Sequence, residues 1–183
     1  MVEDGRVTGL RVPDVARHAA WAAAMAELRP EGAHVNGAGL WLLPESEQWN
    51  LTEAGCRRLV AALLTRADPA FLHPEGSVPC HFLWITEGDE VIGFLALRSR
   101  LNDWLLTNGG NIGYSVVPSR RRQGHATRAL ALAVRRAGEL GLDRVLVTCD
   151  EGNLGSVRTI ESNCGLQEDV RNRTRRYWIP AAG

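Results

Sequence analysis

Residues 112–127 read I-G-Y-S-V-V-P-S-R-R-R-Q-G-H-A-T, and this stretch decides the fold. The apolar and β-branched residues before Pro118 predict a strand, which ends there because proline cannot donate a hydrogen bond to a sheet. After Gly124, apolar residues recur at helical spacing as far as Gly141. Those positions are 126, 129, 130, 133, 134, 137 and 140. A strand, a basic loop and a helix with one buried stripe are therefore expected in succession.

The loop between this strand and this helix is suited to binding an anion. The first turn of a helix presents backbone N–H groups without intrahelical partners, and the helix dipole adds positive charge. Gly124 lets the backbone approach a ligand closely, Ala126 leaves the first turn uncrowded, and three arginines add charge-assisted hydrogen bonds. A solvated basic turn is the alternative, because the loop has neither a Walker A lysine nor a G-x-G-x-x-G spacing.

Further strands and a helix flank this segment. Apolar runs at 82–85 and 91–97 surround E-G-D-E at 87–90, which predicts a β-hairpin. Residues 142–149 are typical of the next buried strand, and a helix is expected after Asn153. These elements make residues 82–183 the predicted core of the fold.

The part before this core, residues 1–81, is predicted to be helical with additional loops. Asp14 is expected to cap one helix, which ends before Pro30. A second helix is expected after Thr52, with the D-P pair at 68–69 as its stop. Residues 34–50 lack periodicity, and such irregular segments often carry specificity. With 183 residues, 45% of them apolar, both parts are expected to form one domain.

Composition excludes several classes of function. The 21 arginines balance 21 acidic residues, and a net charge of zero argues against a nucleic-acid binder or a membrane-surface protein. The chain has no lysine, which excludes Schiff-base and lysine-nucleophile chemistry. Residues 1–117 hold 9 arginines and 14 acids, whereas residues 118–183 hold 12 and 7. This division suits one anionic ligand and one cationic ligand.

The N-terminus and the cysteines bear on the cellular compartment. Residues 1–6 are acidic and precede no apolar run, so no secretory signal is expected, and the small apolar run at 19–26 is too short for a membrane span. Cys56, Cys80, Cys149 and Cys164 form no C-x-x-C pair. We therefore expect a cytoplasmic protein with reduced thiols and no metal site.

One family signature stands at the junction of strand and helix. Val117-Pro118, followed by Arg121-x-x-Gly124-x-Ala126 at the mouth of a helix, resembles the R/Q-x-x-G-x-G/A signature of the GNAT superfamily of N-acetyltransferases. The resemblance implies that the loop binds an acyl-CoA.

The rest of the core is similar to the same family. Asn153-x-x-Ser156 opens a helix where the family usually has N-x-x-A, and the order of elements agrees from residue 82 to the end of the strand at 177–179. The implied fold is a single GNAT-type α/β (α+β) domain over residues 1–183. Its mixed, mostly antiparallel central sheet would be flanked by helices.

The resemblance also implies a donor and a reaction. Acetyl-CoA would give its acetyl group directly to the amine of a small molecule in a ternary complex, without a metal. The strand end at 115–117 would part from its neighbour and pair with the pantetheine, and one of its N–H groups would polarise the thioester carbonyl. Backbone N–H groups of 122–127 would hold the pyrophosphate. The implied cofactor-binding residues are Ser115, Val116, Val117, Arg121, Arg122, Gln123, Gly124, His125, Ala126, Thr127, Asn153 and Ser156.

Two departures from the family pattern concern the catalytic acid and base. Ile160 stands where many members have a tyrosine acid, and Asn111 stands where some have a glutamate base. The catalytic candidates are therefore Tyr114, as an acid, and Asp150 or Glu151, because strand ends line ligand crevices in α/β folds. Each has a structural alternative, which is core packing for Tyr114 and a solvated, helix-capping loop for the two carboxylates.

The six tryptophans fall into two groups. The helix and strand patterns place Trp21, Trp84 and Trp178 in the core. The candidates for an acceptor pocket, in or near irregular segments, are Trp41, Trp49 and Trp104.

Two other functions stay open at this point. A protein or peptide N-acetyltransferase would need an open groove, and residues 34–50 suit either a groove wall or a lid. A non-catalytic acyl-CoA-binding domain would suit the missing tyrosine and glutamate. The resemblance to the family also implies a possible homodimer, formed through the exposed face of the C-terminal strand.

Overall fold

The computed structural model describes residues 7–31, 35–68 and 70–181, and these contain seven strands and four α-helices. The strands are β1 (Thr8–Arg11), β2 (Cys80–Glu87), β3 (Glu90–Arg98), β4 (Ile112–Val116), β5 (Arg144–Asp150), β6 (Leu166–Arg171) and β7 (Thr174–Pro180). The helices are α1 (His18–Leu28), α2 (Glu53–Ala67), α3 (His125–Glu139) and α4 (Leu154–Glu161). The predictions made for residues 1–6, His34 and Pro69 fall outside the described residues.

All seven strands belong to one sheet in the order β1-β2-β3-β4-β5-β7-β6. Neighbouring strands are antiparallel except for β4 and β5, which run parallel. The predicted mixed, mostly antiparallel sheet flanked by helices is thus confirmed. The C-terminal strand β7 pairs with β5 on one side and β6 on the other, so both of its backbone edges are used. Dimerisation through its exposed face stays a prediction.

Helix α2 begins at the predicted residue, whereas the residue predicted to cap α1 caps a short turn just before that helix. Asp14 caps a short 3₁₀ turn by accepting a 2.9 Å hydrogen bond from Ala16 N–H, and α1 continues from it. The Thr52 hydroxyl accepts a 3.2 Å hydrogen bond from Gly55 N–H at the start of α2. Both helices bury their apolar sides, with α1 against β3 and α2 against β2.

Helix α3 packs closely on the sheet because its buried stripe consists largely of small residues. Ala129, Leu130, Ala133 and Ala137 have no exposed surface, as their helical spacing predicted. The helix contacts β1, β4 and β5, so it crosses the sheet beneath the end of β4. None of the described helices is both long and apolar enough to cross a membrane.

Three local features were not predicted. The N-terminal part contributes β1, whose four residues pair with β2 at a sheet edge. So short a strand, with a glycine in it, carries no readable alternation. Residues 105–109 form a π-helical turn, and the described residues of the 34–50 segment hold two 3₁₀ turns. The predicted hairpin is present, but its strands extend further and leave only Gly88 and Asp89 in the turn.

The tryptophans divide differently from the prediction. Trp21 and Trp84 are each 1% exposed, which confirms their place in the core. Trp178 is only half-buried, and the Arg144 guanidinium lies over its ring at 4.1 Å from the ring centre. Of the three proposed for a pocket, Trp49 packs against the core and Trp41 is 59% exposed, whereas Trp104, 62% exposed, lines the cavity described below.

Candidate active site

Strands β4 and β5 part almost at once after they meet. Ile112 opposite Val147 is their one paired position, although β4 continues to Val116 and β5 to Asp150. Along that length β4 pairs only with β3 on its other side. The predicted splay is therefore present, and we call the space it opens the β4–β5 gap.

Asn111 holds the closed end of this gap. Its side-chain oxygen accepts a hydrogen bond from Leu146 N–H at 2.8 Å, and its backbone N–H donates to Leu146 O at 2.7 Å. Its side-chain amide donates to Arg98 O at 2.9 Å. Asn111 is 3% exposed, and its side-chain atoms are used within the sheet. The residue that stands in place of a family glutamate is thus a structural clamp across three strands.

Alternation along β4 decides which backbone groups face the gap. Val117 N–H donates to Ile92 O at 3.0 Å, so the backbone N–H and C=O of Val117 point toward β3. The same holds for Ser115, two residues earlier. The N–H groups of Tyr114 and Val116 then face the gap. Val116 O accepts from Arg121 Nε at 2.9 Å, which joins the strand to the basic loop.

The basic loop, residues 119–124, presents its backbone to solvent at the mouth of the gap. Arg122 and Gly124 both have left-handed backbone conformations, with φ of 59° and 80°. Helix α3 has no side-chain cap, and its first hydrogen bond runs from Arg128 N–H to Gly124 O at 3.0 Å. The N–H groups of His125, Ala126 and Thr127 therefore have no intrahelical acceptor. A phosphate group fits this arrangement of unpaired donors and positive dipole.

The arginines before Gly124 have different partners. Arg120 forms ion pairs with Glu87, at 3.0 Å, and with Glu90, so its charge is largely neutralised. Arg122 is exposed beside Gln123, whose side-chain amide donates to Ser119 O at 3.0 Å. The three arginines therefore do not contribute equally to the positive charge that an anion would meet, since the charge of Arg120 is balanced by two glutamates.

His125 opens α3 but turns its side chain inward. It is 3% exposed, and its Nδ1 lies 2.9 Å from the Thr8 hydroxyl of β1. Its Nε2 is 3.8 Å from a Glu87 carboxylate oxygen. Burial lowers the pKa of His125, the Glu87 carboxylate opposes that shift, and Arg128 and Arg120 reinforce it. The neutral ring therefore anchors the helix start to β1, while the backbone of His125 remains at the anion site.

A cavity of about 220 Å³ lies in the β4–β5 gap. Two hydrogen bonds close its sides: the Ser115 hydroxyl donates to Asn36 O at 2.7 Å, and the Thr148 hydroxyl donates to Asn108 O at 2.8 Å. The lining residues are Asn36, Arg98, Trp104, Asn108, Gly109, Ile112, Gly113, Tyr114, Thr148, Cys149, Asp150, Asn153, Ser156 and Thr174. The segments around residue 36 and residues 104–109 thus border the gap, and the first of them belongs to the stretch 34–50 that was expected to form a groove wall or a lid.

Tyr114 reaches this cavity from β4. Its hydroxyl is buried and makes no hydrogen bond to a described residue. Burial raises the pKa of Tyr114 to about 12, and the nearby Ser156 hydroxyl only partly offsets this shift. A phenol with this pKa is protonated throughout the physiological range. It can therefore donate a proton but cannot act as a base.

The two carboxylate candidates are placed differently. Asp150, the last residue of β5, lines the cavity. Glu151 follows in an exposed turn, where its N–H donates to Arg173 O at 2.8 Å, and it is not part of the lining. The structure thus brings Asp150 together with Tyr114 and places Glu151 outside the cavity.

Asn153 and Ser156 form the wall contributed by α4. The Asn153 side-chain oxygen caps the helix by accepting from Ser156 N–H at 3.0 Å. Both residues also line the cavity. The helix-capping role considered for the loop of Asp150 and Glu151 is therefore performed by Asn153.

Thiol chemistry and metal chemistry would depend on the cysteines and on clusters of metal-binding groups. Burial raises the pKa of Cys149 to about 11, so its thiol is protonated at neutral pH and is a weak nucleophile. All four cysteines are free. Within the ranges that the structure describes, no group of three or more His, Cys, Asp or Glu residues is placed to hold a metal ion.

Sequence reasoning missed several residues of the cavity. Arg98, Asn36 and Asn108 come from three segments that are distant in the chain. In the sequence Arg98 stands at the end of an apolar run, two residues before Arg100, and nothing there marks it as a site residue. Nothing in the local pattern places the other two beside β4.

Comparison with solved structures extends the fold assignment. Mycobacterium smegmatis RimJ in complex with CoA-disulfide superposes with a TM-score of 0.67 at 18% identity, covering 97% of this chain and 88% of that one. The microcin C7 self-immunity acetyltransferase MccE, in complex with acetyl-CoA and AMP, gives 0.64 at 12% identity over 94% and 92%. An acetyltransferase from Salmonella typhimurium that modifies the N-terminal serine of ribosomal protein L7/L12 gives 0.61 at 17% over 94% and 94%. At these identities the likeness shows the fold.

Sequence comparison shows the family. A search of curated proteins finds no match. The model of the acetyltransferase (GNAT) family matches residues 51–166, which include β4, the basic loop, α3 and the whole of α4 with its cap. The chain therefore belongs to the GNAT family of acetyltransferases, as an acyl-CoA-dependent enzyme whose donor is acetyl-CoA.

Proposed function

We propose that this protein transfers the acetyl group of acetyl-CoA directly to the amine of a small molecule in a ternary complex. The observation that carries the proposal is the cavity in the β4–β5 gap, with Tyr114 and Asp150 in its lining and a hydrogen-bonded segment on either side. About 220 Å³ accommodates a small amine beside a thioester, and both segments restrict access by a bulky acceptor.

The donor binds along β4 and at the start of α3. Backbone N–H groups of residues 122–127 hold the pyrophosphate, helped by the exposed side chain of Arg122. The pantetheine lies against the edge of β4 that faces the gap. There the N–H of Tyr114 or Val116 points at the thioester carbonyl and stabilises the oxyanion that forms on attack. Ser115 and Val117 support this edge through their pairing with β3.

Tyr114 is the proposed general acid. The acceptor nitrogen bonds to the carbonyl carbon, the carbon–sulfur bond breaks, and the departing sulfur takes the proton of the Tyr114 hydroxyl. The nitrogen then loses its extra proton, through water, to the tyrosinate, which restores the phenol. The Tyr114 hydroxyl is buried, and this residue lines the cavity in which the thioester is expected to lie. The pKa of about 12 keeps that proton in place until sulfur acquires negative charge.

Asp150 is the proposed base, and Glu151 the weaker candidate for that role. An amine is mostly an ammonium ion at neutral pH and must lose a proton before it attacks. Asp150 lies in the cavity lining, where a carboxylate attracts the ammonium ion and receives its proton directly or through water. Asn153 and Ser156 complete the wall of α4, with the Ser156 hydroxyl available to the pantetheine.

The N-terminal amine of a protein is the second candidate acceptor. It is favoured by the fold shared with the Salmonella typhimurium enzyme that modifies an N-terminal serine. An extended N-terminus is slender enough to enter between the two covering segments. The two candidate acceptors therefore differ in whether a polypeptide chain continues from the amine out of the cavity.

Release of the CoA thiol separates these functions. The assay presents acetyl-CoA with small amines, with aminoglycosides and with peptides that differ only in a free or blocked N-terminus, and mass spectrometry identifies the product. The proposal expects acetylation of small amines and little turnover of peptides. Preference for free peptide N-termini would favour the second candidate. Thermal stabilisation by CoA without thiol release on any amine would identify a non-catalytic acyl-CoA-binding domain.

A further inference from the structure

Arg98, the last residue of β3, has an unusual environment for an arginine. It is half-buried, and its guanidinium lines the cavity in the β4–β5 gap. Its one side-chain hydrogen bond is long, 3.4 Å from Nη1 to Gly110 O. Among the described residues, no carboxylate forms an ion pair with it. A guanidinium has five N–H donors, so most of its hydrogen-bonding capacity is available to a ligand.

The alternation of side chains along β4 shows which face of the sheet Arg98 occupies. Side chains alternate along β4, so Gly113 and Ser115 lie on one face and Tyr114 on the other. A side chain at Gly113 would come within 3.8 Å of the Arg98 guanidinium, and Ser115 is bonded to the covering segment at Asn36. Arg98 therefore lies on the face opposite Tyr114 and α4.

Arg98 and Asp150 are the two charged residues in the described lining of this cavity. They are not paired with each other, although both face the same space. A cavity that presents one cation and one anion without letting them neutralise each other is complementary to a ligand with both charges. An amine that also carries an acidic group is such a ligand.

We infer that the acceptor is an amino acid, in the broad sense of an amine bearing a carboxylate, and that Arg98 binds the carboxylate. This inference rests on the proposed function, because it names the class of that small-molecule acceptor. Arginine and a carboxylate form two parallel hydrogen bonds, which fix the orientation of the acceptor as well as bind it. The ammonium end is then turned toward Asp150 and the thioester.

A phosphate-bearing amine fits this site less well than a carboxylate. A phosphate monoester carries close to two negative charges at neutral pH, and Arg98 supplies one positive charge. The other residues of the described lining, Asp150 apart, are uncharged. The second charge of a phosphate would remain uncompensated in a half-buried site, which costs free energy.

The test compares each amino acid with its own amide as acceptor. The wild-type enzyme is expected to prefer the acid, and Arg98→Gln is expected to lower the acid-to-amide ratio of kcat/KM by about 10- to 100-fold. Because the ratio is taken for the same pair of acceptors, their difference in amine basicity cancels between variants. Arg98→Lys keeps the charge but not the bidentate geometry, so it should recover part of the ratio. The KM for acetyl-CoA should change little in either variant.

Arg100→Gln is the matched control, because Arg100 is exposed and lies outside the cavity lining. Its acid-to-amide ratio should equal that of the wild type, and thermal unfolding confirms that every variant is folded. Three results would overturn the inference and leave the proposed function standing. They are equal use of acids and amides by the wild type, an unchanged ratio in Arg98→Gln, and preference for O-phosphoethanolamine. If no small amine is acetylated, charged or uncharged, the proposed function fails and the inference fails with it.

Discussion

The side-chain oxygen of Asn111 accepts a 2.8 Å hydrogen bond from the backbone N–H of Leu146. This bond joins the start of β4 to β5, next to Ile112 and Val147, the one position where the two strands pair. Beyond it the strands diverge, and every group that we assign to acetyl transfer lies along that divergence. The site therefore depends on a clamp that is itself chemically inert.

Replacing Asn111 by alanine should destabilise the fold. It removes two side-chain hydrogen bonds and leaves Leu146 N–H and Arg98 O without these partners in a buried site. We expect the free energy of unfolding to fall by about 2 to 4 kcal/mol in urea denaturation. The exposed Asn108, whose side chain makes only a 3.4 Å contact, is the control, and Asn108→Ala should change stability by about 0.5 kcal/mol or less. Similar losses in both variants would contradict the clamp.

Two glycines with the same backbone conformation test the anion site. Gly124 has φ of 80° and lies before α3, whereas Gly141 has φ of 84° and lies in a remote turn with nothing near its absent side chain. Valine at either position should destabilise the fold, because a β-branched residue is strained there. Only Gly124→Val should also weaken acetyl-CoA binding, by about tenfold or more, in calorimetric titration. Equal affinity in the two variants would mean that the basic loop is merely structural.

The two tyrosines of the chain test the catalytic acid. Tyr114→Phe should lower kcat by about 100-fold with little change in acetyl-CoA affinity, because it removes a proton donor from the cavity. It should not unfold the protein, since the Tyr114 hydroxyl has no hydrogen bond to a described residue. Tyr177→Phe, whose hydroxyl bonds to Gln167 at 3.1 Å outside the cavity, should retain kcat. Steady-state kinetics that find both variants equally active would remove Tyr114 from the mechanism.

Variants of the adjacent carboxylates Asp150 and Glu151 test which of them is the general base. Asp150→Asn should lower kcat/KM for the amine by about 100-fold at neutral pH, and the loss should shrink as pH rises and more of the amine is already deprotonated. Glu151→Gln changes a carboxylate that is not part of the cavity lining, so its pH–rate profile should follow the wild type. The reverse ranking of the two variants would transfer the role of base to Glu151.

The buried His125 predicts a pH dependence of stability. Its pKa is lowered in the folded state, chiefly by burial, so below the ordinary value of about 6.5 the unfolded chain binds a proton more readily than the folded protein. The free energy of unfolding should therefore be fully retained above that pH and should decrease as the pH falls toward the lower, folded-state pKa. His125→Asn should flatten this decrease in denaturant titrations between pH 7 and 5. A slope identical to the wild type would show that His125 does not titrate in this way.

The features that the sequence could predict are those that depend on neighbours in the chain. Pro118, Gly124 and the apolar spacing of α3 are local signals, and the strand, loop and helix they predicted are present. The inward turn of His125 could not be read locally, because it depends on Thr8 from a strand more than a hundred residues earlier. Arg98 also became informative only when strand pairing placed it beside the gap.

Asn111 illustrates a different limit. At its position the family pattern suggested only a missing base, since its sequence neighbours reveal nothing of its partners. Leu146 and Arg98 belong to β5 and β3, and the clamp exists only once the sheet has formed. Residue type alone therefore cannot distinguish a lost catalytic group from a gained structural one.

Calorimetric titration of the protein with acetyl-CoA tests most directly the claim that the β4–β5 gap and the basic loop bind the donor. We expect saturable binding of one acetyl-CoA per chain, weakened in Gly124→Val and retained in Gly141→Val. No heat of binding up to millimolar acetyl-CoA, with a protein shown to be folded, would contradict it.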